Sequence, residues 1–185
     1  MNKVDPKKMF WWSFGVTVAI AAVLIIAFNP SGKPAPQPSL PIGWVELQPE
    51  GAGFSALMPD VIETDAKTNT YYAGDPDKAR FFITFSPILN KSADSQMVFQ
   101  EALSGLTNNP EHRLMNSENT LHGKYQARDF VVWNNATNTY YRGRLIFANG
   151  TLYQMFITTY GENFPKEEYA YFLDSFKVIS TAPRP

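Results

Sequence analysis

The chain has 185 residues and a formal net charge of −1, from 16 basic and 17 acidic side chains, so it shows no clustered basic face for nucleic acid. It contains no cysteine, which excludes disulfides, thiolate catalysis, cysteine-ligated metals and the lipidated cysteine of a lipoprotein. Aromatic residues make up 15% of the chain, enough to fill the core of a domain of about 140 residues.

Residues 1–8 carry Lys3, Lys7 and Lys8 against Asp5 alone. Met9–Phe28 then holds no charged residue, and its polarity is limited to Ser13 and Thr17. A helix over this stretch is about 30 Å long at ~1.5 Å per residue, the thickness of a bilayer's hydrocarbon layer. A secretory signal core spans only about 7–15 residues. The helix also exits through Ala27, Phe28, Asn29 and Pro30, a poor small-x-small cleavage pattern. Residues 9–28 therefore read as an uncleaved transmembrane helix, with a cleaved signal as the alternative. The nearest base beyond the segment is Lys33, so the positive-inside rule puts the N-terminus in the cytoplasm and the rest outside. Trp11 and Trp12 fall where an inner interfacial belt belongs, or else pack on a neighbouring transmembrane helix. Gly15, Ala19, Ala22 and Val23 form a stripe at helical spacing, without a clean GxxxG. Trp11, Trp12, Gly15, Ala19 and Ala22 are thus the candidate contacts with lipid and with other integral membrane subunits.

Residues 29–43 form a linker with prolines at Pro30, Pro34, Pro36, Pro38 and Pro41. That composition favours extended polyproline II at ~3.1 Å per residue, so the proline-bearing Asn29–Pro41 alone makes a spacer reaching up to roughly 40 Å.

A folded domain is expected over 44–180, with a frayed tail at 181–185. Gly53–Met58 alternates briefly and stops at Pro59. Ala79–Ser86 puts Ala79, Phe81, Ile83 and Phe85 on one face of a strand. Asp94–Leu106 switches to helical period, with Phe99, Ala102, Leu103 and Leu106 at i, i+3, i+4 and i+7 and Ser92 as N-cap. Lys124–Asn134 predicts a strand ending in the turn-rich Asn134–Asn138. Thr139–Ala148 and Thr151–Tyr160 flank Asn149-Gly150, a dipeptide suited to a two-residue turn in which both residues take positive φ. Pairing Ala148 with Thr151 sets Ile146 opposite Tyr153, Leu145 opposite Gln154 and Arg144 opposite Met155. Both faces of these strands carry apolar residues, which predicts cover on both sides. Pro165–Val178 closes the domain as a helix with Tyr169, Phe172, Leu173 and Phe176 on its stripe, Pro165 opening it and Glu167 and Glu168 in the first turn.

The Gly-Phe-Ser strand ended by Pro59, the central helix, YQARDF (Tyr125–Phe130), YYRGRLIFANGTLYQM (Tyr140–Met155) and YFLDSFKV (Tyr171–Val178) together resemble the PsbP-like group of extracytoplasmic domains. The resemblance covers roughly Trp44 to Ile179. It implies an α+β fold, an antiparallel sheet sandwiched by helices, in proteins that mostly support larger assemblies without catalysing reactions. In the photosynthetic members the domain sits extrinsically on a membrane complex.

Chemistry-bearing patterns are sparse. His112 and His122 stand ten residues apart without metal-binding helical spacing, and read as surface or loop-edge histidines on either side of a strand. A hydrolase built from distant loops would need a nucleophile bonded to one of them. Gly53-Phe54-Ser55-Ala56-Leu57 lacks the spacing of a nucleophile elbow, so Ser55 reads as a solvent-side strand residue. Asp75-Pro76-Asp77 is turn chemistry rather than a calcium loop. Asn135-Ala-Thr and Asn149-Gly-Thr match glycosylation sequons but suit turns. Arg142 and Arg144 share a strand face with Tyr140 and Ile146, and Arg128 with Asp129 belongs to the adjacent strand. Arg128, Tyr140, Arg142 and Arg144 form the candidate surface patch: cross-strand ion pairing and cation–π packing, or an anionic-ligand site.

No catalytic residue, cofactor or metal site is identified. The expectation is a non-enzymatic single-pass protein of a bacterial inner membrane with a periplasmic domain, an accessory subunit of a photosynthetic or respiratory assembly. A tethered module for a lipid or small apolar ligand is the alternative.

Overall fold

A computed structural model describes residues 42–90, 92–161 and 163–179. The expected transmembrane helix, most of the linker, the tail, and Trp11, Trp12, Gly15, Ala19 and Ala22 lie outside the described residues. Among the described residues no helix is long and apolar enough to cross a membrane. The chain divides into two units, Met1–Leu40 and Pro41–Pro185, and the strands and helices below all belong to the second.

Period-two runs rich in aromatic and β-branched residues build the strands. They are β1 (Trp44–Leu47), β2 (Phe54–Pro59), β3 (Glu63–Asp65), β4 (Thr70–Asp75) and β5 (Ala79–Pro87), followed by β6 (His112–His122), β7 (Tyr125–Asn134), β8 (Thr139–Ala148), β9 (Thr151–Tyr160) and β10 (Lys177–Val178). Helix α1 (Ser95–Thr107) separates β5 from β6, and α2 (Lys166–Ser175) precedes β10. The large sheet runs β3-β4-β5-β9-β8-β7-β6 and a small one β1-β2-β10, every pairing antiparallel.

Both faces of the large sheet are covered, as the two-sided apolar pattern requires. On one, Phe81, Ile83, Ile146, Met155 and Ile157 pack against Phe54, Ala56 and Met58 of β2 and Phe172, Leu173 and Phe176 around α2. On the other, Val98, Phe99 and Leu103 of α1 pack against Phe130, Val132, Leu145 and Leu152. The Asn149-Gly150 hairpin has the expected register, with Ile146 opposite Tyr153 and Arg144 opposite Met155. Its two turn residues have φ of 52° and 76°.

The helix ends differ from expectation. Asp94, not Ser92, caps α1: its Oδ1 accepts the Gln96 N–H at 2.9 Å, while Ser92 N–H is turned onto Asn90 Oδ1 at 3.1 Å. Helix α2 stops at Ser175 because Phe176 turns extended and stacks on Phe54 at 5.4 Å. Lys177 and Val178 then pair with Ser55 and Phe54 as β10. Ser55 is buried rather than solvent-facing, since β2 is the central strand of its sheet and Lys177 stands opposite it.

Candidate functional site

Alternation along β8 places Tyr140, Arg142, Arg144 and Ile146 on the sheet face shared with α2. The β7–β8 register sets Asp129 directly opposite Arg144. Arg144 Nε and Nη2 donate to the two Asp129 oxygens at 2.6 and 2.9 Å, a bidentate charge-assisted pair. The bond to Asp129 pushes the Arg144 guanidinium above its ordinary range, against an opposing desolvation. Tyr169 of α2 stands near this pair. Burial first, and then the Asp129 carboxylate, push its hydroxyl well above the usual tyrosine range, while Arg144 and Arg142 pull the other way.

Arg142 is held differently. Its guanidinium lies 4.7 Å from the Tyr140 ring centroid and 4.6 Å from that of Phe164, and Nη1 donates to Thr159 Oγ1 at 3.2 Å. Phe164 in turn contacts the Tyr169 ring at 5.1 Å, and Trp133 stacks beside Tyr140 at 6.3 Å. Among the described residues Arg142 makes no ion pair. Its remaining N–H groups leave it able to meet an anionic partner group, whereas Arg144 is already neutralised by Asp129.

Arg128 does not belong to this cluster. Being next to Asp129 in a strand, it points to the opposite face. There its Nε donates to Asn119 Oδ1 at 2.9 Å, its Nη2 donates to Gln96 Oε1, and it lies 5.7 Å from the Phe99 ring. The sequence patch is therefore split by the sheet: Tyr140, Arg142 and Arg144 on one side, Arg128 on the other. Trp133, Thr159, Phe164 and Tyr169 complete the first group and were not foreseen. Trp133 had a readable signal in the odd-numbered parity it shares with Asp129, Thr159 in the hairpin register that sets it opposite Tyr140, and Tyr169 in the stripe of the closing helix, whereas Phe164 had none.

The histidines are the first and last residues of β6 rather than its flanks. His112 Nδ1 is 2.7 Å from Leu106 O and its Nε2 is 3.1 Å from Asn134 Nδ2. His122 Nε2 is 2.9 Å from Phe176 O. Both rings thus bond to backbone carbonyls and an amide, where a hydrolytic base would need a nucleophile. The Asp75 carboxylate accepts the Asp77 N–H at 2.9 Å, which is the expected turn chemistry. Among the described residues no group of three His, Asp or Glu is placed to hold a metal ion.

Open grooves mark the surface formed by the described residues. One, of about 450 Å³, lies beside Phe164, Tyr160 and Lys78. Another, of about 390 Å³, runs between α1 and the sheet, lined by Val98, Ala102, Leu106, Ile88 and Leu152.

No family model and no curated protein matches the chain. Among solved structures it is similar to the cyanobacterial PsbP (CyanoP) of Synechocystis sp., with a TM-score of 0.56 and 13% identity over 81% of this chain and 99% of that one. It is also similar to a Pseudomonas aeruginosa protein of unknown function described as a putative regulator, at TM-score 0.47 and 16% identity over 77% and 98% of the two chains. The Saccharomyces cerevisiae Ran-binding protein Mog1p gives TM-score 0.47 and 13% identity over 75% and 96%. The first likeness is one of fold: the described domain is an α+β, antiparallel, PsbP-like structure.

Proposed function

We propose that the protein is a non-catalytic, single-pass membrane subunit whose PsbP-like domain works outside the cytoplasm, attached to a larger membrane assembly. The observation that carries this reading is Met9–Phe28, twenty residues without a charge, preceded by Lys3, Lys7 and Lys8. The PsbP-like fold behind it is consistent with an extrinsic domain held at a membrane complex. So is the state of the domain interior. Both cores are filled by close-packed aromatic and aliphatic side chains, and the two grooves are open to solvent, leaving the outer surface for contact. The Arg142 guanidinium, framed by Tyr140 and Phe164, is the side chain best placed to anchor a partner carboxylate.

The test is gentle detergent extraction of the full chain, followed by native electrophoresis and mass analysis. Stoichiometric integral membrane chains that co-migrate, and are weakened by Arg142→Met, support the reading. Migration with no other chain overturns the subunit role, and a mature mass beginning after Asn29 overturns the anchor.

One observation favours a second reading, a tethered module for a small apolar ligand: the apolar lining of the α1 groove by Val98, Leu106 and Leu152. Retention of a lipid by the isolated protein, lost on Ala102→Trp, would select it.

A further inference from the structure

The two edges of the large sheet are not alike. At one end β3 has 3 residues, a short edge of the kind that discourages further pairing. At the other, β6 has 11 residues, contains neither proline nor lysine, and is hydrogen-bonded on its β7 side only. Its exposed apolar residues are Leu114, Met115 and Leu121, at 45%, 57% and 57%. A bulge between Leu114 and Asn116 is its one interruption. Such a strand presents a row of unpaired N–H and C=O groups to a further strand.

The charges on β6 say which strand. Arg113 stands opposite Trp133 of β7, and Glu118 opposite Asp129. Both are exposed, and among the described residues neither makes an ion pair. Trp133 and Asp129 lie equally far from Val131, whose partner is Asn116, and the even spacing keeps Arg113 and Glu118 on one face. A second β6 laid antiparallel about a two-fold axis at Asn116 therefore meets Arg113 with its own Glu118, and Glu118 with its own Arg113. The same register sets Leu114 beside Ser117 and His112 beside Asn119. One strand supplies both halves of the contact, as an isologous interface requires.

We propose that the protein forms a symmetric dimer by antiparallel β6–β6 pairing, joining two seven-stranded sheets into one continuous sheet. The pairing is independent of the proposed membrane role and holds whether or not other subunits bind.

Charge exchange tests it on the full chain in detergent, by sedimentation with the detergent mass subtracted. Arg113→Glu and Glu118→Arg are each expected to shift the protein to monomer, because like charges then face each other twice. An equimolar mixture of the two variants is expected to recover a dimer, since every crossing again pairs opposite charges. The absence of native cysteine supplies a second readout. Asn116→Cys places a thiol against its own copy and is expected to form an interchain disulfide under mild oxidation. Asn119→Cys, roughly 20 Å from its symmetry mate at about 3.3 Å per residue, is not. Monomer at all concentrations, dimers indifferent to both charge changes, or equal cross-linking at 116 and 119 would each overturn the proposal.

Discussion

Arg144 grips both oxygens of Asp129 across the β7–β8 ladder, yet the two partners differ in exposure: the arginine side chain is 17% exposed and the aspartate 43%. That asymmetry predicts unequal truncation costs. Asp129→Ala strands a largely covered guanidinium and is expected to cost about 1–3 kcal/mol. Arg144→Met leaves a carboxylate that water can reach, keeps the aliphatic packing, and should cost less than about 1 kcal/mol. Denaturant melts of the two variants decide it, and equal losses would contradict the account.

Tyr169 makes the domain sensitive to base. Burial raises its hydroxyl pKa above the ordinary value of 10.0 in the folded state. The unfolded chain therefore ionises first, and the stability linked to Tyr169 is complete below about pH 10 and is lost as pH rises beyond it. Melting temperatures from pH 9 upward should fall steeply in the native protein and less steeply in Tyr169→Phe. Parallel slopes would remove Tyr169 as the cause.

Gly143 sits in the middle of β8 with the Phe130 ring folded over it. A Cβ there would come within 2.8 Å of Phe130 Cζ and 2.5 Å of Phe156 Cβ, and would also strike the Met155 carbonyl. Gly143→Ala is expected to destabilise by about 2–3 kcal/mol through overpacking. Adding Phe130→Leu should recover little of that loss, because the Met155 carbonyl and the Phe156 Cβ of the neighbouring strand lie closer to the new methyl than the ring does. A double variant that regains most of the loss would show that the ring, and not the neighbouring strand, is the obstacle.

Val61 holds a left-handed conformation at φ 66° while 77% exposed. A β-branched residue is strained there, and asparagine is not. Val61→Asn is expected to stabilise the domain by about 1 kcal/mol, a rise of a few degrees in Tm. Val61→Gly should gain less, since glycine also loosens the unfolded chain. Calorimetry on the three proteins gives the order.

What could be read from the residues alone was whatever short-range geometry dictates. A two-residue turn with both φ positive permits one pairing, so Asn149-Gly150 carried the β8–β9 register with it. Phe99, Leu103, Phe172 and Leu173 recur at helical spacing and are buried where that spacing aims them. Asp129 could not be joined to Arg144 in the same way, because residues 135–138 between their strands allow several registers. The split between Arg128 and Arg142 turns on that register.

Longer-range decisions belong to the assembled fold. Lys177-Val178 has no strand pattern, and becomes β10 because the edge of β2 lies beside it once Phe176 has docked on Phe54. Ser55 is buried beside β10, a strand that arrives more than a hundred residues later. Phe164 and Tyr169 reach Arg142 and Arg144 only when α2 settles on the sheet. The two-sided apolar strands, the helical stripes and the uncharged segment at 9–28 are each written in the spacing of neighbouring residues. Which charges are neutralised, and which strand ends at the edge of the sheet, depends instead on partners distant in the chain and so emerges with folding.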